Sequence, residues 1–439
     1  MGLRRSWGAL GAALVVALLP VGGADATSLA QRHVLPNGIV LLVSPRPGVP
    51  IVAVRVYVRG AGSAFDPPDR QGLANLTGAL LSRGTAKRNA TQLDAAIEFV
   101  GGSLETGIDR DGMMVAVDIL SKDFTLGLDL LTEVLLSPAF PGDELTRKVK
   151  EVQAAIQRAE ESPDGVAARA LRRLVFAPHP YGWPVEGTRE SVAKLTRTDV
   201  VGFYQGHVRP DTTVITVVGA VSVDDARREV LARFGQWARP AAPPPNLPMA
   251  SAAGPPRIEV IKRELAQSTI LMGRQAIRQT DPDYFAVAVA SYILGGGSSS
   301  RLYGRVREQE GLAYSVWSDV APARYGAWLT VGSQTRAAAS QRVIDLLQDE
   351  LTRMGREPVS DRELELAKSY LIGSFPLRLD TTAKVANFIT ATEVQGLGLD
   401  YPDRYRQGVA RVTTGDVQRV SARLFAPDSL SRVVVGQVP

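Results

Sequence analysis

A chain of 439 residues is too long for one ordinary hydrophobic core, so two domains are the expectation, and 45% apolar with 22% charged residues suits a chain that folds over most of its length. The formal net charge of +5 is spread without a dense basic block interleaved with aromatics, which argues against nucleic-acid binding. With no cysteine, disulfides and thiolate-held zinc are excluded.

Residues 1–26 read as a secretory signal peptide. Arg4-Arg5 is followed by an apolar run from Trp7 to Val21, short for a bilayer span, and then by Ala24-Asp25-Ala26, a small-x-small cleavage pattern. No later stretch is long and apolar enough to cross a membrane. The expectation is an exported protein of a bacterial periplasm, with no membrane anchor once the signal is cleaved.

Asn37-Gly38 reads as a tight hairpin turn entering a strand at 39–43. In the next strand Val52, Val54, Val56 and Val58 alternate with Ala53, Arg55, Tyr57 and Arg59, so one face is buried and the other at least partly polar. Asp66-Pro67-Pro68-Asp69 then breaks the chain. Helical patterns at 91–100 and 124–136 flank an alternating run at 113–120, and one long helix is expected over 143–170, followed by the loop His179-Pro180-Tyr181-Gly182-Trp183-Pro184. Residues 239–257, rich in proline and alanine, read as a semi-rigid linker between an N-terminal half, 27–238, and a C-terminal half, 258–439. In the second half helices are expected at 284–294 and 300–310, joined by Gly295-Gly296-Gly297-Ser298-Ser299-Ser300. That run lacks the Gly-Lys-Ser/Thr ending of a phosphate loop and reads as a flexible turn.

The two halves end alike. Leu195-Thr196-x-x-Asp199-Val200 matches Val412-Thr413-x-x-Asp416-Val417, Pro210-Asp211-Thr212 matches Pro427-Asp428-Ser429, and Val217-Val218-Gly219 matches Val434-Val435-Gly436. Every pair is offset by 217 residues. The expected fold is α+β: two homologous halves, each a mainly antiparallel sheet covered by helices, facing one another as a clam-shell.

The stretch Gly72-Leu73-Ala74-Asn75-Leu76-Thr77-Gly78-Ala79-Leu80-Leu81-Ser82-Arg83-Gly84-Thr85 resembles the zinc-binding helix of the insulinase/pitrilysin family of metallopeptidases. Leu-Pro-Asn-Gly at 35–38, His-Pro-Tyr-Gly at 179–182 and Arg-Glu-x-x-Gly-Leu-Ala-Tyr at 307–314 extend the likeness over essentially the whole mature chain. In that family the helix carries His-x-x-Glu-His, two zinc ligands and a general base. Here Asn75 stands at the first His, Gly78 at the Glu and Ala79 at the second His. The family's third ligand is a Glu that the resemblance places at Ala154 or Ala155. The residues themselves agree with a lost site, because the three histidines, His33, His179 and His207, are scattered, and alanine cannot bind metal. His179 reads as a turn or packing residue, and His33 and His207 as surface or strand-edge residues.

Arg307 and Tyr314 by themselves read as an exposed helical arginine and a core tyrosine at a strand start, with Gly311 as a helix C-cap between them. The resemblance gives them another role. Active family members carry an Arg and a Tyr at this spacing that hold the substrate peptide near the zinc of the opposing half. The resemblance therefore implies a zinc-less, non-catalytic subunit that binds no cofactor itself. Its partners would be a zinc-bearing insulinase-family paralogue and an unfolded peptide substrate. The alternative is a non-enzymatic peptide-binding or scaffold protein of the same fold.

Overall fold

The computed structural model describes residues 28–251 and 254–437, so the signal peptide expected over 1–26 lies outside the described residues. The N-terminal half runs β1 (Gln31–Val34), β2 (Val40–Pro45), β3 (Ile51–Arg59), α1 (Leu73–Leu80), α2 (Ala90–Glu98), β4 (Ser103–Ile108), β5 (Gly112–Leu120) and α3 (Phe124–Leu136). It continues through α4 (Gly142–Glu161), α5 (Pro163–Phe176), α6 (Arg189–Val192), α7 (Arg197–His207), β6 (Thr213–Gly219) and α8 (Val223–Phe234). After a segment whose described residues form neither helix nor strand come β7 (Ile258–Lys262), β8 (Gln267–Ala276), α9 (Tyr284–Gly295), a π-helical segment (Tyr303–Gln309), β9 (Ala313–Ala321) and β10 (Ala327–Arg336). The chain closes with α10 (Ser340–Arg356), α11 (Asp361–Ser374), α12 (Thr382–Val394), α13 (Tyr401–Arg411), α14 (Thr414–Leu424) and β11 (Ser431–Gly436).

Two sheets result, ordered β1-β2-β6-β3-β5-β4 and β7-β11-β8-β10-β9. Each has one parallel pair, β2 with β6 and β7 with β11, and is otherwise antiparallel. The second sheet therefore repeats the first without a counterpart of β1. The repeat holds to the residue in places, since both ends of α7 and α14 differ by 217 positions. Thr196 and Thr413 each cap their helix, accepting from the backbone N–H of Asp199 at 3.2 Å and of Asp416 at 3.1 Å. Gly219 (φ +140°) and Gly436 (φ +132°) end the paired strands where a side chain could not enter: a Cβ on Gly219 would lie 2.1 Å from the Ile51 carbonyl oxygen.

The Asn37-Gly38 turn forms the β1–β2 hairpin, with Gly38 at φ +94°. The Asn37 side chain also donates to the Phe234 and Trp237 carbonyls at 2.8 and 3.1 Å, tying the turn to the end of α8. Helix 124–136 stands as expected, but the single long helix expected over 143–170 is two. Ser162 turns the chain and caps α5 by accepting from Gly165 N, and Pro163 occupies its first turn, where a missing N–H costs nothing.

That break sends α5 out of its own half. One face of the second sheet packs on α9, α10 and α14. The other face, with Leu271, Val433 and Val435, packs on Ala167, Leu171, Val175 and Phe176 of α5. The exchange is mutual, because α12 of the C-terminal half lies across β3 and β6, setting Val385, Ala386 and Ile389 against Leu42, Ala53, Tyr57 and Val218. This is why the β3 face carrying Arg55 and Tyr57 is buried, although alternation alone left it partly polar. Arg55 is held there by a two-pronged bond to Asp118, both at 3.0 Å, and gives its Nε to Asn387 of α12 at 2.6 Å. Each half is thus completed by a helix from the other, and the halves form one body.

Candidate functional site

The helix α1 is held from below. Gly72, at φ +92°, enters it because a Cβ would lie 2.5 Å from the Glu186 carbonyl oxygen. Asp66 takes the place of an N-cap, accepting from Gly72 N and Ala74 N, each at 2.7 Å. Burial outweighs these amide bonds and raises the Asp66 carboxyl to about 7. Leu73, Ala74, Leu76, Thr77, Gly78 and Leu80 are buried, while Asn75 and Ala79 share the half-exposed face, one turn apart.

Gly78 is buried for a specific reason. A Cβ placed there would stand 2.6 and 2.8 Å from Cγ1 and Cδ1 of Ile108, at the end of β4. The isoleucine fills the room a side chain at the base position would need. The adjoining helix α4 packs Val149, Val152 and Ile156 against the same core, leaving Ala154 and Ala155 exposed. Of the emptied positions, Gly78 is thus buried, Asn75 and Ala79 are half-exposed, and Ala154 and Ala155 face outward. An amide at Asn75 and methyls at Ala79, Ala154 and Ala155 do not make a donor set for a catalytic zinc, which wants about three N or O ligands. Among the described residues, no group of three or more His, Asp or Glu is placed to hold a metal ion.

The histidines lie apart from this surface. His179 is buried in its turn, accepting from Tyr181 N at 3.2 Å through Nδ1, with Nε2 3.2 Å from the Pro248 carbonyl. His33 lies on the edge strand β1. His207 is neither on the surface nor at a strand edge: half-buried at the end of α7, it stacks on Phe203 at 4.1 Å and meets the Gly60 carbonyl at 2.6 Å. Burial lowers the pKa of both His179 and His207, so they stay neutral near pH 7.

The second half presents the other candidate. Arg307 lies on the π-helical segment and Tyr314 near the start of the edge strand β9, joined by a turn through Gly311 at φ +61°. Their side chains meet. The guanidinium carbon sits 4.7 Å from the Tyr314 ring centre and 4.9 Å from that of Tyr303, and one Nη1–H is donated to the Tyr314 carbonyl at 3.0 Å. Tyr314 is 83% exposed, not the core residue its strand-start position suggested. Among the described residues Arg307 has no ion-pair partner, so the rest of its fork is free to bind.

Sequence reasoning missed what makes His-Pro-Tyr-Gly structural. Tyr181 is fully buried, gives its hydroxyl to Asp111 and accepts from Tyr325 N at 2.9 Å, while Asp111 also accepts from Arg324 N at 3.0 Å. The motif clamps the β4–β5 turn of one half to the β9–β10 turn of the other. The signal for it was the motif itself, but a tyrosine in a loop carries no sign of a partner 144 residues away.

Two matched sheets that exchange helices, with a stripped helix in the first half and an Arg–Tyr pair in the second, define an α+β peptidase-type fold without its metal chemistry. Residues 40–189 match the family model described as Insulinase (Peptidase family M16), and residues 194–371 that described as Peptidase M16 inactive domain. A peptidase M16 inactive domain from Pseudomonas fluorescens superimposes with a TM-score of 0.87 at 25% identity, covering 93% of this chain and 98% of that one. A protease from Helicobacter pylori shares the fold at a TM-score of 0.85 and 19% identity, covering 93% and 99%. In sequence, an uncharacterized zinc protease of Streptomyces coelicolor is 27% identical over 409 residues, 91% of this chain and 88% of that protein. One of Mycobacterium leprae is 29% identical over 352 residues, 80% and 79% of the two chains. The chain belongs to the insulinase family of peptidases. The inactive-domain match begins at residue 194, so the loss of the metal site rests on Asn75, Gly78, Ala79, Ala154 and Ala155 themselves.

Proposed function

We propose that this chain is the zinc-less subunit of an exported, periplasmic insulinase-type metallopeptidase heterodimer. A zinc-bearing family member supplies the metal and the general base. This chain supplies half of the peptide-enclosing wall and a substrate grip made of Arg307 and Tyr314. The observation that carries the reading is an asymmetry. The metal face is stripped at every position, whereas the Arg–Tyr pair is assembled, exposed and short of hydrogen-bond partners.

The chemistry of the grip follows from its geometry. The guanidinium is held between two rings, so its plane is set before a ligand arrives and little rotamer freedom is lost on binding. Its remaining N–H groups can be donated to peptide carbonyls or to a carboxylate, and the exposed Tyr314 hydroxyl can donate to a developing oxyanion. In this reading the bond-breaking step belongs to the partner.

The test is kinetic. In the reconstituted pair, Arg307→Ala is expected to lower kcat/KM about 10- to 100-fold, the equivalent of one lost charge-assisted hydrogen bond. An unchanged kcat/KM would remove the role of Arg307. Peptide affinity with no rate enhancement on adding a zinc-bearing relative would favour the non-enzymatic peptide-binding or scaffold reading.

A further inference from the structure

A second polar site adjoins the segment that carries Arg307. A cavity of 580 Å³ opens between the loop after α9, the π-helical segment, α10 and the start of α11. Its volume is that of a small-molecule pocket, typically about 300–1,000 Å³. Three buried atoms of the lining residues, Ser300 Oγ, Arg301 Nη1 and Glu350 Oε2, have no hydrogen-bond partner among the described residues. Ser300 and Glu350 are only 4% and 3% exposed. Buried polar atoms are nearly always paired, so three orphans around one cavity call for an explanation.

The other ends of these side chains are already held. Arg301 gives Nε and Nη2 to Glu363 at 2.6 and 3.1 Å, and Glu350 Oε1 accepts from Arg353 at 2.9 Å. What remains unused is the Nη1 amino group of Arg301, one carboxylate oxygen of Glu350 and the Ser300 hydroxyl, each covered by its neighbours and reached from the cavity by a turn of its side chain. The lining carries three cations, Arg301, Arg305 and Arg353, and three carboxylates, Asp349, Glu350 and Glu363. With the signs balanced, neither a lone anion nor a lone cation is favoured; a molecule bearing both charges is complementary.

We propose that this cavity binds a small zwitterion, a free amino acid or short peptide, with its carboxylate directed to Arg301 and its ammonium to Glu350. Ser300 completes the set as a donor or acceptor on whichever end lies beside it. The site stands independently of the role given to Arg307 and Tyr314.

The probes are alanine, dialanine and tetraalanine, with N-acetylalanine and alaninamide as single-charge controls, titrated calorimetrically into the purified chain. Saturable binding of at least one zwitterion is expected, weakened at least tenfold when either charge is blocked and at least tenfold in Glu350→Gln. Ser300→Ala is the second, milder variant, expected to weaken binding severalfold while keeping the wild-type circular dichroism spectrum. The relative affinities of the three zwitterions tell a free amino acid from a peptide as the ligand. No saturable heat with any of them would overturn the proposal, as would blocked forms that bind equally well or zwitterion binding unchanged in both variants.

Discussion

Replacing Gly78 by alanine separates a tolerated glycine from a filled site. In an α-helix the change gains about 1 kcal/mol of propensity. The new Cβ, however, would stand 2.6 and 2.8 Å from Ile108 Cγ1 and Cδ1, well inside the carbon–carbon optimum of about 3.5–4.0 Å. Such overpacking costs about 1–3 kcal/mol, so Gly78→Ala should be neutral to destabilising by about 2 kcal/mol. In an Ile108→Ala background the clash is gone and the same change should stabilise by about 1 kcal/mol. Urea unfolding of the four variants, fitted as a double-mutant cycle, reads this change of sign. If Gly78→Ala has the same effect in both backgrounds, Ile108 does not occupy the base position and the argument fails. The consequence for the site is direct. Reinstalling Glu at 78 with His at 75 and 79 requires Ile108 to be reduced as well.

Three further outcomes follow. Asp66 carries a carboxyl raised to about 7 in the folded chain, so the native state binds more protons than the unfolded state from about pH 4 to 7, and its stabilising contribution, complete below pH 4, is lost as pH rises to 7. The span has a ceiling of about 4 kcal/mol. Asp66→Asn should flatten stability against pH in that window, and an unchanged slope in urea titrations would refute the assignment. Phe176, 1% exposed against Tyr181 and Trp328, anchors the exchanged helix α5, so Phe176→Ala should cost about 3–5 kcal/mol and hasten proteolysis within 239–257. Unaltered cleavage there despite lower stability would mean that α5 does not lock the halves. In the reconstituted pair, Tyr314→Phe should lower kcat by about tenfold while leaving KM near the wild-type value, because it removes only a donor to the developing charge. A rise in KM alone would place the hydroxyl in ground-state binding instead.

The repeat was legible because a capped helix, a Pro-Asp turn and a valine strand each leave a local mark, and Thr196/Thr413 and Gly219/Gly436 keep that mark at one offset. The emptied helix was legible for a similar reason, since its Gly-Leu-Ala entry and Arg-Gly-Thr exit survive around Asn75, Gly78 and Ala79. Helix exchange was not legible. Periodicity reports which face of α5 or α12 is apolar but not which sheet covers it. Even so, Ser162-Pro163 was a readable cap-and-first-turn pair that should have divided the helix expected over 143–170. Ile108 beside Gly78 and Asp66 beneath α1 are contacts between elements. The Arg307–Tyr314 spacing, closed by a left-handed Gly311, and Tyr303 four residues before Arg307 on one helical segment had a local basis.

The central claim is a division of labour between two chains, and co-purification from the native host followed by peptide cleavage tests it most directly. The account predicts a zinc-bearing insulinase-family partner, cleavage by the mixture far above that of either chain alone, and no metal-dependent turnover by this chain by itself. Full metal-dependent activity from this chain alone would contradict it.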